Sequence, residues 1–214
     1  MDRLIPFSPD VYVGMFGRYN ETYWPALLVA VALGGVLLYC LKRADSSAGR
    51  ILALIVGTFW IWTGWAFHIE TYADLNWAAV PFGVLFIVQG LLSVLWGGLL
   101  GRFEIIAGRT RSHEIGVVLL FAALVLPPLL TFFMHMPIET THGFAITPAT
   151  VALINVAVLF TVYGRASLWL LAWPMLWSAW DLASAATMDL WRDAALPALA
   201  LAASVFLILS RTRR

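Results

Sequence analysis

Apolar residues run almost unbroken through seven stretches of the chain, about Trp24–Leu41, Ile51–Phe67, Trp77–Leu100, Ile115–Phe133, Pro148–Val162, Ser167–Ala186 and Trp191–Ser210. Each approaches the roughly 20 largely apolar residues that one helical crossing of a bilayer core requires. The polar connections between them are short, which favours antiparallel neighbours in one bundle. Ahead of the first stretch, Ser8 and Pro9 read as a helix N-cap and first helical position. Tyr12, Met15, Phe16 and Tyr19 then share one face at helical spacing, opposite Asp10 and Arg18. That pattern predicts a helix lying on the membrane interface, with Trp24 as an interfacial aromatic. The expected fold is an all-α polytopic membrane protein of seven transmembrane helices with an N-terminal interfacial helix, forming a single integral membrane domain over residues 1–214.

Composition agrees with lipid as the solvent. The chain is 62% hydrophobic and only 12% charged, against about 45–50% apolar and about 25% charged in soluble domains. So many apolar spans leave no room for a soluble catalytic or nucleic-acid-binding domain. A net charge of +1 also lacks the clustered cations that a polyanion needs. The single cysteine, Cys40, excludes an internal disulfide framework or a CxxC site. The first apolar run begins only after Pro25, unlike the short apolar region of a secretory signal.

Lys and Arg lie asymmetrically. Lys42, Arg43, Arg50, Arg102, Arg109, Arg111, Arg165, Arg211, Arg213 and Arg214 fall on one side of the alternating segments, and Arg3, Arg18 and Arg192 on the other. Under the positive-inside rule this predicts an external N-terminus and a cytoplasmic C-terminus. An odd number of crossings gives the same answer.

With that orientation, the polar residues gather toward the outer ends of segments two, four and six. His68 closes segment two, with Glu70, Asp74 and Asn76 in the loop beyond. His135, Glu139 and His142 follow segment four, and Asp181 sits in the outer third of segment six. His113 is the one histidine predicted on the cytoplasmic side. Imidazoles and carboxylates suit a proton or a transition-metal cation, although no HExxH pattern is present, and neither a metal, a cofactor nor a catalytic residue is assigned. Acidic residues are also ordinary in outer loops that lack Lys and Arg. Asp181 is the costliest of the set, because a carboxylate inside a span needs a partner or a wet cavity; Ser178 and Ser184, three residues to either side, are the hydrogen-bond donors expected for it.

Gln89 and Asn155 lie near mid-span, where amides serve as interhelical glue or line a path. Gly83, Gly90 and Gly97 recur every seven residues along segment three, a smooth stripe that predicts a close-packed, central helix. Pro127 and Pro128 in segment four, and Pro174 in segment six, predict bends that free backbone carbonyls.

Three blocks, IPFSPDVYVGMFGRYNETYWPA, FHIETYADLNWAAVPFGVLFIVQG and THGFAITPAT, resemble the recurring motifs of an uncharacterised family of bacterial polytopic inner-membrane proteins, a domain of unknown function. Tyr19, Asn20, Trp24, Pro25, His68, Asn76, Phe82, Gly83, Gln89, Thr147 and Pro148 occupy that family's motif positions. Trp77 stands where members often carry proline, and Ala149 and Thr150 where many carry Cys-Pro, which removes the basis for a thiol-dependent metal relay. The resemblance implies a bacterial integral membrane protein and carries no activity with it.

The residues themselves favour a small permease or carrier for a cation or small solute. Its vestibule would face outward around His68, His135 and Asp181, with Asn76, Gln89 and Asn155 along the path. Two other readings compete: a metal-dependent lipid hydrolase within the membrane, and a non-enzymatic membrane subunit or scaffold. The partners expected are the lipid bilayer, a small solute or cation, and further copies of the chain, but not nucleic acid.

Overall fold

Ser8 starts the first helix as the sequence predicts: its Oγ accepts the Val11 N–H at 3.4 Å and Pro9 takes the first helical position. The computed structural model describes residues 7–43, 45–106, 110–141, 146–163 and 167–212; Arg3, Arg109, His142, Arg165, Arg213 and Arg214 lie outside them. Helix α1, Pro9–Arg43, joins the predicted interfacial helix to the first apolar stretch through a kink at Tyr23 (φ −113°, ψ 22°). The cause is Pro25, which has no N–H to offer the preceding turn. Helix α2, Ser46–Trp62, continues as a π-helix, Thr63–Ile69, and α3, Ala79–Ser93, as a second π-helix, Val94–Leu99. Then come α4 (Arg111–Phe133), α5 (Pro148–Thr161), α6 (Ala172–Thr187, preceded by the 3-10 turn Leu168–Leu171) and α7 (Trp191–Thr212).

The described residues are helical throughout apart from loops and one isolated β-bridge, Ile105 to Val162. Five helical stretches are long and apolar enough to cross a membrane: Pro9–Arg43, Ser46–Asp74, Ala79–Leu99, Arg111–Phe133 and Trp191–Thr212. Their outer surfaces carry exposed Leu28, Val29, Val84, Leu91, Val118, Phe121, Phe206 and Leu209. An apolar belt of that extent is unsuited to water and suited to lipid.

Successive helices reverse direction, which sorts the loops into two ends. The acidic end holds the loops after α2, α4 and α6; the basic end holds those after α1, α3 and α5 and the end of α7.

Two expectations change. The central helix is α5, not α3: every residue from Pro148 to Thr161 is buried. Its start is fixed by a capping box in which Thr147 Oγ1 and Thr150 Oγ1 meet at 2.8 Å, and Thr150 Oγ1 accepts the Thr147 N–H at 3.2 Å. The α3 glycines instead form one half of a two-helix seam. Gly83 and Gly90 face Gly64, in the π-helix that continues α2, and Gly57 of α2, near enough that a Cβ on Gly64 would lie 2.5 Å from the Gly83 carbonyl oxygen and one on Gly90 2.6 Å from that of Gly57.

The second change concerns the N-terminal helix. Tyr12, Met15, Phe16 and Tyr19 are buried by protein rather than by lipid. The ring of Phe16 lies 5.3 Å from that of Phe67, and Tyr12 lies 6.1 Å from Tyr72. Tyr19 Oη donates to the Ile146 carbonyl at 2.8 Å and accepts from Trp62 Nε1 at 3.0 Å. Asn20 Nδ2 donates to the carbonyls of Glu139 and Thr141. The segment before the kink therefore covers the acidic end of the bundle.

Candidate functional site

The α2–α3 seam ends at His68, in the last turn of the π-helix. Gly83 makes room for it, since a Cβ there would lie 3.0 Å from the His68 Cβ. The imidazole is completely buried, 0% exposed, between aromatic rings: Phe86 at 4.4 Å, Trp177 at 4.8 Å, Phe67 at 5.3 Å and Tyr72 at 6.2 Å between centroids. Neither ring nitrogen has a hydrogen-bond partner. Trp177 Nε1, Ser178 Oγ and Thr63 Oγ1, all buried, are unpartnered as well. A buried polar atom left unsatisfied costs about 1–3 kcal/mol, and π-helical turns concentrate at functional sites.

Asp181 joins this chamber by way of α6. It lies one helical turn beyond Trp177 and is buried, while Tyr72 lies beside the His68 ring, 6.2 Å between centroids. The predicted Ser178 hydrogen bond to Asp181 does not form, because the Ser178 hydroxyl has no partner.

Next to them is a buried ion pair at the start of α7. Arg192 Nε donates to Asp193 Oδ1 at 2.6 Å and Arg192 Nη1 reaches Met136 Sδ at 2.9 Å. The pair faces Pro127 and Leu130 of α4 across a gap of about 10 Å³, and α4 runs helically through both of its prolines.

The remaining candidates are elsewhere. His135 is exposed and takes the left-handed conformation (φ 55°) just after α4, so it ends a helix outside the chamber. Asn76 is half-buried; its Oδ1 accepts the Ala78 N–H at 3.0 Å, which shapes the turn into α3. Gln89 and Asn155 converge on one atom, the Leu170 carbonyl oxygen, at 2.9 and 3.4 Å. That carbonyl precedes Pro174 by four residues, so the helix itself supplies it no donor. Trp60 Nε1 donates to Asn155 Oδ1 at 3.3 Å, completing a mid-bundle polar knot. At the basic end His113 Nε2 lies 3.1 Å from the Leu41 carbonyl, at the end of α1.

Comparison with known proteins decides the family. A model of a family of unknown function, DUF6064, matches residues 10–214. The chain is a member of the DUF6064 family. No curated protein and no solved structure matches it. In this DUF6064 protein the sequence blocks quoted above acquire structural meaning: Asn20 ties α1 to the loop after α4, Gly83 admits His68, Gln89 satisfies Leu170, and Thr147-Pro148 starts the buried helix.

Sequence reasoning missed Tyr12, Tyr72, Trp177 and the Arg192–Asp193 pair as members of the site. The adjacent opposite charges at the head of an apolar segment were the one available signal for the pair. Among the described residues of the DUF6064 protein no three His, Cys, Asp or Glu side chains come together to hold a metal.

What the chamber offers is an imidazole, an indole N–H, a hydroxyl and a neighbouring carboxylate, gathered among aromatic walls.

Proposed function

We propose that this protein is a small carrier of the bacterial inner membrane that moves a proton or a cation-coupled small solute through the chamber between His68 and Asp181. The observation that carries the reading is His68: fully buried in a π-helical turn, with both ring nitrogens unpartnered, and packed on Trp177, one helical turn from the buried Asp181. Such a group is retained at a cost to stability, which is the usual mark of a residue kept for its chemistry.

Seven crossings fit the architecture. Helix α5 is only about 21 Å long at 1.5 Å per residue, but it is walled by protein along its whole length and never meets the lipid thickness. Helix α6 with its 3-10 turn reaches roughly 32 Å. The charge bias supports an acidic end outside and a basic end in the cytoplasm. In this arrangement the segment Pro9–Tyr23 closes the outer mouth, and the kink before Pro25 is the hinge about which it would open.

The test is proton movement into proteoliposomes holding the full chain and a trapped pH dye, under an imposed potassium gradient. The expected result is flux lost in both His68→Ala and Asp181→Asn, with Gly35→Ala on the bundle exterior unaffected. Wild-type flux from both of the first two variants would overturn the reading.

A further inference from the structure

The basic end holds a second cavity, of about 800 Å³, where α4 begins and α5 and α7 end. That is within the ~300–1,000 Å³ of sites that take small ligands. Its lining changes character along the bundle axis on all three helices. Helix α4 presents Arg111 and Ser112 at its start and Ile115 one turn in; α7 presents Arg211 and Ser210 at its end and Phe206 one turn in; Tyr163 follows α5, with Phe160 deeper. The described lining holds two guanidiniums and no carboxylate. Arg211 is set in place by donating to the carbonyls of Leu159 and Val162 at the end of α5. Arg111 is exposed at the rim. Phe206 stacks on Phe160 with the rings 6.3 Å apart and is itself 52% exposed, so the apolar half of the cavity opens on the bundle's apolar outer surface.

From this the geometry points to a binding site for an acidic phospholipid: the phosphate-bearing headgroup between Arg111 and Arg211, and an acyl chain leaving past Phe160 and Phe206 into the bilayer. Cationic pockets between membrane helices on the basic side are recognised by this charge complementarity. A soluble phosphate compound would use the same guanidiniums but would have no use for the apolar half. A zwitterionic lipid would lose the net attraction. The site is separate from the His68 chamber and stands whether or not that chamber carries a solute.

The experiment is native mass spectrometry of the full chain released from neutral detergent, titrated with dioleoyl phosphatidylglycerol, dioleoyl phosphatidylcholine or glycerol 3-phosphate. Phosphatidylglycerol is expected to add with a stoichiometry of one at concentrations where the other two do not. Removing one basic group near an anionic headgroup costs about 1 kcal/mol, so Arg111→Ala should weaken that adduct about fivefold. Ile115→Trp, which keeps both charges and narrows the apolar half of the cavity, should also weaken it, with helical content by circular dichroism unchanged in both variants. Should Ile115→Trp lose helical content, Arg111→Ala alone decides. Equal adducts with phosphatidylcholine, an equal response to glycerol 3-phosphate, or undiminished phosphatidylglycerol binding by Arg111→Ala would each overturn the assignment.

Discussion

Replacing Gly64 by alanine tests the α2–α3 seam on which the His68 chamber is built. The added methyl would sit 2.5 Å from the Gly83 carbonyl oxygen, 2.9 Å from Ile87 Cγ1 and 3.0 Å from the Ile87 nitrogen. Optimal heavy-atom separations are about 3.5–4.0 Å, so α3 must retreat by roughly 1 Å. Two of the three opposing atoms are backbone, and no rotamer change relieves them. Overpacking of this kind costs about 1–3 kcal/mol. Set against it is the gain of about 0.5–1 kcal/mol from replacing a helical glycine by alanine. Gly35 isolates that gain, because it is exposed in α1 and a Cβ there meets nothing within 4 Å. In thermal unfolding in mild detergent, Gly35→Ala should hold or raise the midpoint, while the midpoint of Gly64→Ala should fall about 2–12 °C below that of Gly35→Ala, at 2–4 °C per kcal/mol for a chain of this size. Equal midpoints for the two variants would refute the seam as described.

Two further outcomes follow from individual atoms. Gln89→Leu should cost about 1–3 kcal/mol by leaving the Leu170 carbonyl to the longer Asn155 contact, and adding Pro174→Ala should recover part of that loss by restoring a helical N–H. A double-mutant cycle by denaturant titration would show additive losses if the two residues did not serve the same carbonyl. Asp45 caps α2 by accepting the Ala48 N–H at 2.7 Å, and this bond, with the Arg43 guanidinium at 2.9 Å, holds its carboxyl below the usual carboxylate range. Because the folded value is the lower one, its stabilisation is complete above the ordinary carboxylate pKa of about 3.9 and fades as pH falls through the folded value. Asp45→Asn keeps the cap without the charge, so its stability difference from wild type should shrink on acidification below about pH 4; a constant difference would count against this linkage.

Hydropathy located the helical segments because the bilayer demands internally bonded backbone. It could not say which helix lies inside. Lipid tails are as apolar as leucine side chains, so the fully buried α5 and the lipid-facing α3 read alike in sequence, and the glycines of α3 point to the wrong helix as the centre. Those glycines were correctly read as a packing stripe. Their partners Gly57 and Gly64 share the seven-residue spacing, but the match between the two stripes exists only once the helices run antiparallel. The π-helical turns leave no trace in residue type, since one extra residue per turn shifts a pattern that is apolar all round.

The site candidates divide by the same physics. His68 and Asp181 are legible because an ionisable group inside an apolar run is costly wherever it points, and both are buried, His68 against Trp177 and Asp181 one turn further along the same helix. His135 carried the same sequence signal and is exposed, because a histidine just past a helix end can turn outward at no cost. Gln89 and Asn155 read as interhelical glue or as path residues, and both are hydrogen-bonded to one carbonyl of a neighbouring element; which carbonyl required knowing that Pro174 deprives Leu170 of its i+4 donor. The N-terminal helix shows the remaining ambiguity: an amphipathic face fits a lipid surface and a protein surface equally well, and Asn20 decides between them. A side-chain amide bonded to the carbonyls of Glu139 and Thr141 finds those partners only against the bundle. With that helix seated over Phe67 and Tyr72, the His68 chamber is sealed from the acidic end, and any solute reaching His68 from that side has to displace it.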